Sequence, residues 1–188
     1  TGIEVANTGI QVHGGMGFIE ETAAAQHLRD ARIAAIYEGT NGIQANDLVG
    51  RKVGRENAET VLALINEMRA LDTDLAAIES EHIAAVRGPL KNAIDALETA
   101  SEWIADTWTS DPSGVAAGAV PYLRLLGLSV GGWMMARAAL IAEQKLRDGE
   151  GDINFLTNKL ISAHFFVAHY LVQCPSLYQT IRDGSTAI

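Results

Sequence analysis

The chain has 188 residues, 48% hydrophobic and 20% charged, a balance ordinary for a globular protein and unlike that of a disordered tract. A net charge of −9 argues against a nucleic-acid partner, which needs a basic face that the chain lacks overall, while leaving room for an anionic cofactor held by a few arginines or backbone amides. The single cysteine, Cys174, excludes an intramolecular disulfide and a thiolate metal cluster, and it suits a reducing compartment. Abundant alanine, 6% aromatics and four prolines favour helix over strand, so an all-α fold is expected.

The chain opens on Thr1 with neither the charged start nor the apolar run of a signal peptide, and is read as a stretch from within a longer protein. Glycine is denser in residues 1–54 than beyond them, clustering in Gly14-Gly15-Met16-Gly17 and Gly39-Thr40-Asn41-Gly42. This first part is predicted to be helical but broken, with helices over 2–11 and 21–32 and a third from near Thr40 to about Val53. Asn41 and Gln44 stand at roughly capping-box spacing.

Beyond Asn57 the periodicity becomes long and helical. Val61, Leu64, Ile65, Met68, Leu71, Leu75 and Ile78 mark one amphipathic face, and Leu90, Ala93, Ile94, Leu97, Ile104 and Trp108 mark a second. Asp111-Pro112 predicts the start of a third helix running to about Arg147, kinked or broken at Pro121 and stopped at Asp148-Gly149. A fourth follows Asp152 and carries Phe155, Leu156, Leu160, Ile161, Ala163, Val167 and Leu171. Short loops favour antiparallel neighbours, so residues 57–188 are predicted to form an antiparallel four-helix bundle after a first domain of residues 1–56. The uncharged run Leu125–Ala136 is too short to cross a bilayer and reads as a core helix, and no membrane span is expected.

Few residues carry chemistry. Gly14-Gly15-Met16-Gly17 reads as a phosphate loop or as a turn between helices, and no preceding strand or following lysine decides for the loop. Glu38 lies between Ile33, Ile36 and Tyr37 and a glycine pair. Apolar surroundings make a carboxylate a better proton acceptor, so Glu38 is either a general base or a partly solvated helix-end glutamate. Gly39 beside it lets a ligand approach the backbone. The five histidines form no metal site, His164 and His169 lying on different helix faces, and no serine-nucleophile motif is present. Trp103, Trp108, Trp133, Met134 and Met135 read as core, while Arg51, Lys52 and Arg55 read as a solvated run near a helix C-terminus.

Three blocks in close succession, Gln11-Val12-His13-Gly14-Gly15-Met16-Gly17-Phe18, Leu28-Arg29-Asp30-Ala31-Arg32 and Tyr37-Glu38-Gly39-Thr40, resemble the C-terminal catalytic region of the acyl-CoA dehydrogenases. The resemblance is close over about the first 55 residues. The remainder, with the run from Gly42 through Asp47-Leu48-Val49-Gly50-Arg51-Lys52, is similar to a subgroup that carries an extra C-terminal helical domain and includes the bacterial 3-methylmercaptopropionyl-CoA dehydrogenases.

That resemblance implies an oxidoreductase in which Glu38 takes the substrate's α-proton and flavin adenine dinucleotide (FAD) accepts the β-hydride. By the same resemblance Tyr37 and Gly39 line the acyl-CoA site. Gln11, Val12, His13, Gly14 and Gly15 contact the FAD of a neighbouring subunit, and Thr40, Asn41 and Gly42 contact the FAD of their own. Many relatives have glutamine where this chain has Gly42, a departure at that contact. Arg29, Asp30 and Arg32 are expected to form an ion-paired helix face. The resemblance further implies a homo-oligomer, an electron-transfer flavoprotein as electron acceptor, a role in fatty acid metabolism and a cytoplasmic location. The flavin cradle's β domain is missing, so the fragment alone is expected to be inactive. Two alternatives share the architecture: a non-catalytic flavoprotein of the alkylation-response type, which would need a basic outer surface, and an acyl-CoA oxidase.

Overall fold

A computed structural model describes residues 2–184 and Thr186. Among these the regular structure is helical, with no strand, in keeping with the expected all-α class. The chain divides between Gln44 and Ala45 into two compact units.

In the first unit, α1 (Gly2–His13) packs against α3 (Ala24–Ile33), with the single turn α2 (Gly15–Phe18) and a 3₁₀ turn (Glu20–Thr22) between them. Gly17 lets α2 close onto α1. A Cβ there would lie 2.4 Å from the Ile10 carbonyl oxygen, a contact no larger residue survives. The helix expected from residue 21 starts instead at Ala24, because Ala23 adopts a left-handed φ of 61° and its N–H closes the 3₁₀ turn on Glu20 O. The Thr22 hydroxyl reaches the Met16 carbonyl at 2.6 Å and helps fix that reversal.

The predicted helix from Thr40 to Val53 changes character midway. α4 (Asn41–Asp47) passes into a π-helix over Leu48–Gly54. Its wide turns close with Arg55 N–H on Gly50 O and Ala58 N–H on Val53 O. Trp108 supplies the reason: its indole lies so close over Gly50 and Gly54 that Cβ atoms there would come within 2.9 and 2.5 Å of the ring. Val49 and Val53 are buried on the same segment. Within the basic run, Asp47 pairs with Arg51 at 2.8 Å and with Lys52 at 3.6 Å.

The second unit is the expected bundle with additions. Its long helices are α5 (Glu59–Ala76), α6 (Glu81–Thr107), α8 (Ala119–Asp148) and α9 (Ile153–His169). α6 begins nine residues ahead of Leu90 and runs through Pro89, since Ile83 and Val86 extend the same buried stripe toward its N-terminus. Asp111 caps α7 (Pro112–Ala117) as predicted, its Oδ1 accepting from Gly114 N–H at 2.9 Å. The break between α7 and α8 falls at Gly118 rather than at Pro121. Ile181 packs there, 3.1 Å from where a Cβ would sit, and Pro121 occupies the first turn of α8, where no intrahelical N–H bond is lost. A further helix, α10 (Cys174–Gly184), follows α9 and lies against α6 and α8.

The core is continuous from Ile65 and Met68 through Leu97, Ile104 and Leu125 to Leu171 and Ile181. Burying each such side chain contributes about 1.5–3 kcal/mol. Its polar groups are satisfied: Ser101 Oγ donates to Leu97 O at 2.7 Å and meets the Tyr122 hydroxyl at 2.8 Å. Burial pushes the Tyr122 phenol up to about 12 and raises the Cys174 thiol beside Ser129, so both stay protonated and structural. By length and composition α8 is apolar enough to cross a membrane, but its Tyr122, Leu125, Ala136 and Ala139 are buried in this core.

Candidate functional site

The site begins where α3 stops. Ile36 and Tyr37 N–H both donate to Ile33 O, at 2.9 and 3.0 Å, in a tightening last turn. The chain then reverses through two left-handed residues, Glu38 at φ 55° and Gly39 at φ 87°. A glutamate rarely takes that conformation, because its Cβ crowds the following carbonyl oxygen. Residues held this way cluster at functional sites, where surrounding contacts over-determine them.

Those contacts can be named. Thr40 caps α4, its Oγ1 accepting from Ile43 N–H at 3.3 Å, while Gln44 N–H donates to Thr40 O at 3.0 Å. The cap predicted at Asn41 with Gln44 as its box partner is therefore displaced by one residue, since Thr40, and not Asn41, has the non-helical backbone. Gln44 points its Nε2 back at the Glu38 carbonyl, 2.9 Å away. Asn41 N–H reaches Ala35 O at 3.3 Å and closes the loop from the other side. The structure thus brings Glu38, Gly39, Thr40 and Gln44 into one clamped turn.

The apolar enclosure expected for Glu38 is not formed within the chain. Glu38 is exposed, and Ile33, Ile36, Tyr37 and Ile43 around it are each about half exposed, the reversal turning them outward from α3. What the turn provides is presentation: a carboxylate on a fixed backbone, beside a residue with no side chain.

The second predicted group lies at the end of α1. Gln11, Val12, His13, Gly14 and Gly15 are all exposed, Val12 at 80%. Gly14 is left-handed at φ 61°, and no atom lies within 4 Å of where a Cβ would sit on Gly14 or Gly15. The main chain there is open to a ligand's close approach. His13 Nδ1 donates to Gly9 O at 2.8 Å. His13 and His27 also line a groove of about 660 Å³ between α1 and α3, floored by Gly2, Ala6 and Gly9. Arg29 is ion-paired at 3.2 Å with Glu20, on the preceding 3₁₀ turn.

Sequence reasoning missed Gln44, which it took for a capping residue. A glutamine six residues after a glutamate that ends a helix was the available signal.

Comparison with known proteins covers the whole chain. Residues 1–53 match the family described as "Acyl-CoA dehydrogenase, C-terminal domain" and residues 61–188 match "Acetyl-CoA dehydrogenase C-terminal like". A 3-methylmercaptopropionyl-CoA dehydrogenase of Ruegeria pomeroyi is 42% identical over 188 residues, covering 99% of this chain and 31% of that protein. A butyryl-CoA dehydrogenase of Syntrophomonas wolfei is 32% identical over 184 residues, 95% of this chain and 29% of its own length. A human short-chain specific acyl-CoA dehydrogenase is 48% identical over 46 residues, 24% of this chain and 11% of its own. The chain spans under a third of the length of these curated relatives.

Proposed function

The chain belongs to the acyl-CoA dehydrogenase family, and from that premise we propose that it is the C-terminal part of a flavoenzyme that α,β-dehydrogenates acyl-CoA thioesters, with Glu38 as the base. The supporting observation is the clamped left-handed turn, which fixes a solvent-facing carboxylate beside Gly39.

In this reading the Glu38 carboxylate takes the proton from the carbon α to the thioester carbonyl, and its backbone N–H donates to that carbonyl oxygen as negative charge develops there. Gly39 gives the substrate a wall without a side chain, and Tyr37 lines the approach. Bound FAD would supply the acceptor for the hydride that leaves the β-carbon. The residues present fit such a group. The open backbone at Gly14 and Gly15, with Gln11, Val12 and His13 beside it, would hold the FAD of a neighbouring subunit in a homo-oligomer. Thr40, Asn41 and Gly42 would face the FAD of their own. An electron-transfer flavoprotein is the proposed electron acceptor, and the cytoplasm the proposed location.

Residues 1–56 are assigned to the end of the catalytic C-terminal domain and residues 57–188 to an additional bundle that caps the core or extends the subunit interface. The exposed apolar side chains around Glu38 are assigned to contacts with the parts of the protein that account for the relatives' extra length. The isolated chain is accordingly expected to hold no stoichiometric flavin and to be inactive.

The test is anaerobic titration of the full-length flavoprotein with a panel of acyl-CoAs. Flavin absorbance should bleach with at least one thioester, and Glu38→Gln should slow that bleaching by about 10²–10⁴-fold. Bleaching at the wild-type rate in Glu38→Gln would place the base elsewhere. No bleaching with any thioester would favour a non-catalytic flavoprotein.

A further inference from the structure

We infer that Gln44 is a positioning residue for Glu38, acting through the backbone rather than through the substrate; the inference rests on Glu38 being the base. Three observations carry it. First, Thr40 already caps α4, so the Gln44 side chain has no part in starting the helix. Second, Gln44 is exposed, so burial does not force its carboxamide into any particular bond. It nevertheless spans six residues back to the Glu38 carbonyl, at 2.9 Å. Third, the space around Gly39 is shaped by this contact: a Cβ on Gly39 would lie 3.5 Å from Gln44 Nε2 and 3.3 Å from Ile43 Cγ2.

The carbonyl that Gln44 holds belongs to the peptide joining Glu38 to Gly39, two residues that are both left-handed. With that peptide plane fixed, the direction in which Glu38 projects its side chain is fixed too. Released, Glu38 has every steric reason to return to negative φ, which swings the carboxylate away from its place. Asn41 N–H on Ala35 O ties the loop's far side and does not involve this peptide. Gln44 is the tie that acts on Glu38 itself.

The test uses the full-length flavoprotein with Gln44→Leu, which keeps the volume and loses the donor, and Gln44→Lys, which keeps an N–H donor on a side chain of sufficient reach. A displaced base should lower kcat by about 10²-fold with KM little changed, the size of effect expected from an ångström of misplacement. Exchange of the substrate α-proton in deuterated solvent should fall in parallel, because it depends on the base. Flavin content should stay at the wild-type level, and Gln44→Lys should restore most of the rate. Wild-type kcat in Gln44→Leu would overturn the inference, as would equal losses in Leu and Lys or a rise in KM without a fall in kcat. Glu38→Gln separates the two layers. If it bleaches normally, the base assignment fails and the positioning role with it. If it does not bleach while Gln44→Leu turns over normally, only the positioning role fails.

Discussion

Residues 45–184 bury a continuous apolar core from Ala45 to Ile181, whereas between Gly2 and Gln44 the one buried residue is Gly17, which has no side chain to bury. The second region is held by volume, with Met68, Leu97 and Leu125 filling space between helices. The first is held by backbone closures: the Ala23 reversal, the open Gly14 turn and the clamped pair Glu38-Gly39. Every residue assigned to chemistry falls in the region without a core. Val12, Phe18, Ile36 and Tyr37 present apolar surface outward there, as the proposed function requires of a region that meets ligands and further protein.

Paired truncations sharpen that contrast. Leu97→Ala opens a cavity in the bundle and should cost about 2–5 kcal/mol in denaturant unfolding. Val12→Ala on α1 removes a side chain that is 80% exposed and should shift stability by no more than about 0.5 kcal/mol. Comparable losses at the two positions would mean that the first region has a core of its own in solution.

A smaller effect comes from charge. On the surface of α5 and α6, Arg87 holds the Asp72 carboxyl below the usual carboxylate range. Burial works against ionisation of Asp95, but bonds from Lys91 and Arg69 outweigh it and hold its carboxyl low as well. Arg69 also meets Glu98. Carboxyls lowered in the folded state stabilise it above their unfolded value of about 4, and that contribution is lost as pH falls through the folded value. Asp95→Asn should therefore lower the melting temperature at pH 7 and leave it nearly unchanged at pH 2. The loss at pH 7 should stay below about 1 kcal/mol, because the pair is partly exposed and screened by solvent. An equal loss at both pH values would assign the effect to packing.

Much of this was legible in the sequence. Helical periodicity marked α5, α6 and α9, and Asp111-Pro112 and Asp148-Gly149 marked a start and a stop where the structure has them. Asp152 caps α9 through Phe155 N–H at 2.8 Å, as its position suggested. What escaped depended on partners distant in the chain. The break at Gly118 is set by Ile181, and the π-helix by Trp108 lying on Gly50 and Gly54, contacts that no local pattern encodes. The role of Gln44 escaped for a different reason: its spacing from Asn41 imitated a capping box, whereas the cap is Thr40.

Hydrogen–deuterium exchange of the 188-residue chain, resolved by peptide, tests the division most directly. Amides of α5, α6 and α8 should be the most protected, exchanging only through unfolding of the bundle, while those of α1 and of residues 34–40 should exchange through local opening at a far lower free energy. Protection over residues 2–44 equal to that of the bundle would contradict the account, because it would require a core that the structure does not place there.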